Sequence, residues 1–320
     1  MWKTIARRLL ILIPQLVALS IVMFLLALAM PGDALTGLID PNLGAEDFER
    51  MRIELGLDQP WYVRYVDWVT NLFRGDLGRS WRYRRPVTEV IASRAANTVR
   101  LSTVTVIFTF IIAIPAGLIA GKYQDRLVDK GIIFYTFFAM AMPTVIFALI
   151  NIFIFGFGLG WFPITGSVNV AAPTGSLEYY LSRIHHLILP ALTGALLSTI
   201  GIINLLRSEV IDNENADFVT LARSKGVPSR VVYSRHIFKN ASLPVVTSVG
   251  WVIPFLLGGS IFIETIFAYP GMGRLFVTAI LDRDFAIVNG LVLIIAAVTI
   301  VAILLADVLM MVVDPRIRIK

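Results

Sequence analysis

The chain has 320 residues, 57% of them hydrophobic and 16% charged, with a net charge of +6 and no cysteine. About a quarter of the residues in a soluble domain are charged, so this balance excludes an ordinary soluble protein. The lack of cysteine excludes disulfide frameworks, thiolate metal sites and cysteine nucleophiles. The surplus positive charge sits in loops beside apolar stretches, where it marks membrane topology and not a nucleic-acid surface.

In chain order, the first apolar stretch is Leu9–Met30, preceded by Lys3, Arg7 and Arg8. Ala27-Leu28-Ala29 looks like a signal-peptidase site, but the run exceeds the about 7–15 apolar residues of a secretory signal. Residues 1–30 are therefore expected to be an uncleaved anchor helix. Residues 31–100 mix charges with Trp61, Tyr62, Tyr65, Trp68, Phe73, Trp81 and Tyr83, and Gly75-Asp76-Leu77-Gly78 marks a turn. This segment reads as an extracytoplasmic appendage of short helices folded onto the outer surface.

A core over 101–320 follows. Further spans are predicted near Leu101–Gly121, Ile132–Leu159, Leu187–Leu206, Leu243–Ile263 and Ile287–Met311, each of about the 20 residues needed to cross a bilayer. The expected fold class is an all-α polytopic membrane protein with six transmembrane helices. Pro14, Pro115, Pro143, Pro190 and Pro254 fall inside the spans and are expected to kink them.

Orientation follows from Lys and Arg in the short loops. With the N-terminus in the cytoplasm, three lie before the first span, three in 122–130, six in 207–242 and three at the C-terminus, against only Arg183, Arg274 and Arg283 in the short outer loops; the other ten lie in the long segment 31–100, which is largely exempt from the rule. Both termini are therefore placed in the cytoplasm.

Several chemistries are absent from the pattern. The phosphate-cradling motif G-x-x-x-x-G-K-[ST] does not occur; Gly117 to Lys122 has the wrong spacing and reads as small residues for helix packing beside a basic flank. Any ATP must be hydrolysed by another chain. The deep parts of the spans carry no ionisable side chain. Glu264 at the outer end of the fifth span and Asp307 near the inner end of the sixth would be the coupling residues of the alternative, a stand-alone ion-coupled carrier. Asn151, Ser198, Asn204 and Ser260 could line a pathway or serve as interhelical hydrogen-bonding groups. His185 and His186 are adjacent, so a helix splays them about 100° apart and they do not chelate. His236 reads as structural. No metal, cofactor or catalytic constellation is expected in this chain.

The loop 207–242 is the richest cytoplasmic segment. Asn215 is expected to cap a short helix with Asp217 in its first turn. Phe218, Leu221, Ala222 and Lys225 then share a face, with Phe218 as an apolar knob and Ala222 allowing close approach. Gly226 suits the left-handed position that ends a helix, and Pro228 prevents continuation. Such a helix either fits a groove in a partner or rests on lipid headgroups. Arg223 and Lys225 are then free to pair with acidic groups on a partner or with lipid phosphates.

At this loop the chain resembles the permease subunits of ABC importers. Thr220, Leu221, Ala222 and Gly226 stand at the positions of their Glu-Ala-Ala…Gly motif, and only Ala222 and Gly226 match it. A wider similarity is to the B-type permeases of dipeptide, oligopeptide, nickel and glutathione importers. It is carried by Arg7-Arg8-Leu9-Leu10, Pro31-Gly32-Asp33, Leu55-Gly56-Leu57-Asp58-Gln59-Pro60, Gly75-Asp76-Leu77-Gly78-Arg79-Ser80 and Arg85-Pro86-Val87. Asp217 to Gly226, Arg235-His236, Leu243-Pro244-Val245-Val246, Pro270-Gly271-Met272-Gly273, Arg283-Asp284 and Asp314-Pro315-Arg316 continue it, in order, over nearly the whole chain.

The resemblance implies the type I ABC importer permease fold and a non-catalytic role as the pathway-forming subunit for di- or oligopeptides. It implies a homologous second permease, two ATPase subunits or domains that bind ATP and Mg, and an extracytoplasmic substrate-binding protein. It makes Asp217, Phe218, Leu221, Ala222, Arg223, Lys225 and Gly226 the ATPase-coupling helix, and it puts Pro270, Gly271, Gly273, Arg283 and Asp284 in the outer loop near the gate. The compartment it implies is the plasma membrane of a bacterium or archaeon.

Overall fold

The computed structural model describes residues 2–29, 50, 53, 58–245 and 261–313. The predicted fifth span, Pro31-Gly32-Asp33, Pro254, Ser260 and Asp314-Pro315-Arg316 lie wholly or mostly outside them. The described residues are helical, with one isolated bridge between Arg79 and Pro86. Helix α1 is Trp2–Ala29, α2 Trp61–Phe73, α3 Val87–Lys122, α4 Leu127–Ala141 and α5 Thr144–Asn151, which runs on as the π-helical Ile152–Gly158. Helix α6 is Leu177–Glu214 and α7 Asp217–Ser224. A helical stretch over 229–241 has a π-helical middle, Val232–Ile237. Helix α8 is Ile261–Ile266, α9 Met272–Leu281 and α10 Phe285–Val313.

The frame is the parallel pair α3 and α6. At about 1.5 Å per residue they are about 54 and 57 Å long, against a hydrocarbon core of about 30 Å. Both are long and apolar enough to cross a membrane. Small residues let them touch: a Cβ on Gly117 would lie 2.9 Å from Leu206 Cβ, and one on Gly121 2.6 Å from Val210 Cβ. The Gly117–Gly121 spacing is thus a packing stripe, as its sequence suggests. Further along the same seam, a Cβ on Gly194 would lie 3.2 Å from Thr105 Cγ2. The register rises on both helices together, so they run in the same direction.

Helix α6 starts at Leu177, well before the predicted Leu187. Ser176 caps it, its hydroxyl accepting from the Tyr179 N–H at 3.1 Å, and Glu178 sits in the first turn where the helix dipole favours an anion. Pro115 and Pro190 lie within intact helices. Pro143 does not. The predicted third span is two helices, α4 and Thr144–Gly158, bent by 114°. Met142, steered out of helical geometry by the following proline, has ψ 125°, and Pro143 starts the next helix. The expected kink is a break.

Helix α2 rests on α1. The Tyr65 and Trp68 rings lie 5.4 and 5.7 Å from the Phe24 ring, and Tyr65 Oη is 2.7 Å from Ser20 Oγ. Leu77, Val87, Val90 and Ile91 form a buried cluster with Met272, Leu275, Ile287 and Leu291, which binds the appendage to α9 and α10.

Candidate functional site

One end of the bundle is built around α7. Val219 is fully buried and Ala222 is 7% exposed, and both pack with Leu206, Val210, Val232 and Ile237. The close approach that Ala222 permits is therefore to its own chain, where the sequence suggested a partner. Phe218 and Leu221 point the other way, 39% and 56% exposed. An 8-residue helix cannot hold itself together in water; here the inward face is stapled and the outward face is left apolar.

The end of α7 is a Schellman motif. Val227 N–H donates to Ala222 O at 3.2 Å and Gly226 N–H to Arg223 O at 3.0 Å. Gly226 has φ +74°, so the left-handed position read from the sequence is occupied by the residue that adopts it without strain. Pro228 begins the next helical stretch. The expected cap is corrected: Ala216 precedes α7, and Asn215 closes α6, its amide donating to Ile211 O at 3.1 Å. Helix α6 runs on to Glu214, which leaves no room for Asn215 to start α7.

Arg223 is not free. It pairs with Glu214 at 2.7 Å, within the chain, where the sequence left it for a partner or lipid. Lys225 is exposed. The Tyr233 phenol is pushed up to about 12, first by burial and then by the nearby Glu214 carboxylate. Lys122 lies 5.0 Å over the Tyr233 ring. Beneath these, Arg207 makes a bidentate pair with Asp129, at 2.6 and 2.7 Å, and the Asp129 side chain is only 3% exposed. Sequence reading missed Asp129. The signal was its position four residues after Asp125, whose N–H it accepts at 2.9 Å, at the start of an apolar run. Together these contacts make α4, α6, α7 and the 229–241 stretch one base under the exposed Phe218 and Leu221.

The opposite end of the bundle holds a second constellation. Glu264 is fully buried. Thr98 Oγ1 donates to its Oε1 at 2.7 Å and accepts the Met272 N–H at 2.8 Å, while Arg274 N–H donates to Oε2 at 3.1 Å. The carboxylate thus sits at the N-terminus of α9, where the dipole favours it. Pro270-Gly271-Met272-Gly273 wraps it. A Cβ on Gly271 would lie 2.4 Å from the carboxylate, and one on Gly273 3.0 Å from Oε2. Both glycines are required by contact, not by turn geometry. Asn97 ties in the rest, donating to Pro270 O at 2.9 Å and accepting from Arg183 at 2.9 Å.

Arg283 and Asp284 join Ser80 and Trp81 to the corner between α9 and α10. Asp284 is buried; it accepts from the Ser80 hydroxyl and, at 3.3 Å, from the Ile287 N–H at the start of α10. Helix α9 ends in the same motif as α7, with Asp284 N–H donating to Ala279 O and Arg283 N–H to Ile280 O. Here a non-glycine, Arg283, holds the left-handed position at φ 57°, and its carbonyl accepts from Trp81 Nε1 at 3.3 Å.

Of the residues suggested for a pathway, Ser198 lines a cavity of about 320 Å³ between α3, α5, α6 and α8. Asn151 is buried and bonds back to Phe147 O at 2.8 Å, away from that cavity. Asn204 lies on the exposed side of α6, 3.5 Å from Thr136 Oγ1. The histidines diverge: His185 contacts Trp161 O and His186 contacts Ser182 O, each at 2.7 Å. Among the described residues no three His, Asp or Glu side chains are grouped to hold a metal.

Two helices long and apolar enough to cross a membrane, bundled with a short helix that leaves an apolar face exposed, define an integral membrane protein. The chain belongs to the family of binding-protein-dependent transport system inner membrane components, whose model matches residues 113–319; the N-terminal model of the same system matches 1–102. It is 39% identical to the oligopeptide transport system permease protein AppB of Bacillus subtilis, over 98% of each chain. It is 37% identical to a putative peptide transport system permease protein of Brucella abortus, over 96% of each chain, and 34% identical to the glutathione transport system permease protein GsiC of Escherichia coli over the whole of both. The chain is a non-catalytic, integral inner-membrane permease subunit of an ABC importer.

Proposed function

We propose that this permease forms half of a conduit for di- or oligopeptides. It pairs with a homologous second permease, receives substrate from an extracytoplasmic binding protein, and docks two ATPase subunits or domains that hold ATP and Mg. In this reading it has six spans with both termini in the cytoplasm. Residues 1–30 are the anchor, 31–100 the outer appendage and 101–320 the permease core, with 207–242 as the coupling loop. The peptide-permease names of its relatives support the substrate class.

The observation that carries the coupling role is the split of α7: Val219 and Ala222 buried, Phe218 and Leu221 exposed. Closure of the ATPase pair on ATP would move this helix, and the base under it would transmit the motion to α4 and α6 as a rigid body. The exposed pair would seat in an ATPase groove as an i, i+3 anchor. The test is Gly226→Arg. The chain should still insert in the membrane, and peptide uptake by the assembled transporter should be lost; a well-inserted variant with normal uptake removes the coupling role. The ion-coupled alternative needs a carboxylate that can reach water. Glu264 is instead fully buried and engaged by Thr98 and the start of α9, which favours a structural role for it.

A further inference from the structure

The cavity of about 320 Å³ has a composition that selects its occupant. Its walls are Leu101, Leu197, Phe262 and Ile263, with Gly194 leaving room, and its polar lining is Ser102, Thr105, Thr144 and Ser198. Among the described residues it is lined by no charged side chain. Thr105 donates its hydroxyl hydrogen to Leu101 O at 2.8 Å, and Ser198 donates to Gly194 O at 2.9 Å. Their hydrogens are committed to their own helices, so they offer the cavity only lone pairs. Ser102 is 7% exposed, lines the cavity and has no hydrogen-bond partner among the described residues.

The position matters as much as the lining. Thr98 lies one helical turn before Ser102 on α3, and Ile263 immediately precedes Glu264. The Thr98–Glu264 clamp thus stands directly next to the cavity, on its outer side by the orientation proposed above. Thr144 lies at the break between α4 and α5, where Pro143 interrupts the backbone ladder. Discontinuous membrane helices are where transporters build mid-membrane binding sites.

We propose that this cavity is a transient binding subsite for the main chain of a transported peptide. Its free lone pairs accept amide N–H or terminal ammonium hydrogens, and its apolar walls tolerate different side chains. The clamp forms its outer lid. This rests on the peptide-import reading.

The chain has no cysteine, so Ser102→Cys carries a single thiol in this subunit. The assembled transporter, purified from its native membrane and reconstituted in vesicles, is treated with a small cationic methanethiosulfonate during ATP-driven turnover, with and without saturating trialanine. Val170→Cys, in an exposed turn between α5 and α6, is the control. At saturation trialanine should slow modification at position 102 about tenfold, as expected for a site that is mostly occupied, and leave position 170 unchanged. Modification at 102 should also block uptake. Equal rates with and without peptide, or a thiol that never reacts while uptake stays normal, would overturn the subsite and leave the import reading intact. A wild-type assembly that takes up no peptide overturns both.

Discussion

Thr98 and Glu264 lie 166 positions apart in sequence and 2.7 Å apart in space, and their contact joins α3 to α8. The hydroxyl both donates to the carboxylate and accepts from Met272 N–H. One side chain thereby satisfies a buried anion and an orphan donor of a helix start.

Loss of this contact should be costly. Thr98→Val keeps the shape and removes a donor to a buried carboxylate, so it should destabilise the detergent-solubilised protein by about 1.5–3 kcal/mol. Gly271→Ala forces a methyl into the carboxylate and should be at least as harmful. Glu264→Gln, which keeps the volume, should be the mildest. Thermal unfolding of the three variants checks the order.

The Asp129–Arg207 pair should behave as a buried ion pair. Asp129→Asn or Arg207→Ala alone leaves an uncompensated group and should cost about 3–5 kcal/mol, whereas Asp129→Leu with Arg207→Met should recover much of that loss. A double mutant no better than either single would contradict the assignment.

Arg283 holds a left-handed backbone that costs a residue with a side chain about 1–2 kcal/mol. Arg283→Gly should therefore stabilise the α9–α10 corner by up to about 1 kcal/mol. The reverse experiment at the matching position, Gly226→Ala, should destabilise α7 by a similar amount. Melting curves of the pair give both signs.

The Tyr233 phenol should stay neutral throughout the physiological range. Its raised value means that its contribution is fully present below pH 10, the ordinary tyrosine value, and is lost as pH rises toward about 12. Phenolate absorbance of the native protein against Tyr233→Phe should differ by one group that ionises only at the top of that window. Its ionisation at the ordinary tyrosine pH would remove the Glu214 contact from the account.

Much of this was legible from sequence, for physical reasons. The left-handed Gly226 and the Gly117–Gly121 packing stripe follow from the lack of a side chain. The outer motifs were visible as strings, but their purpose was not. Gly75 to Ser80 and Arg283-Asp284 look unrelated until Ser80 is seen to donate to Asp284. Pro270-Gly271-Met272-Gly273 reads as a turn until Glu264 is found inside it. Such pairings are long-range, and no local periodicity encodes them. The direction of Ala222 was misread because an 8-residue helix has apolar residues on both sides, and only the core decides which face it claims. Asn215 was misassigned because a polar residue between two helices can close one or open the next.

The most direct test of the central claim is recovery of partners on the tagged chain, purified intact from its native membrane in mild detergent, for wild type and for Leu221→Asp. Leu221 is 56% exposed and lies outside the buried cluster under α7, so the variant should fold and insert normally. The wild type should bring down ATPase chains together with a second permease; the variant should keep the second permease and lose the ATPases. A wild-type chain that is solitary in every detergent, or a variant that retains its ATPases in full, would contradict the account.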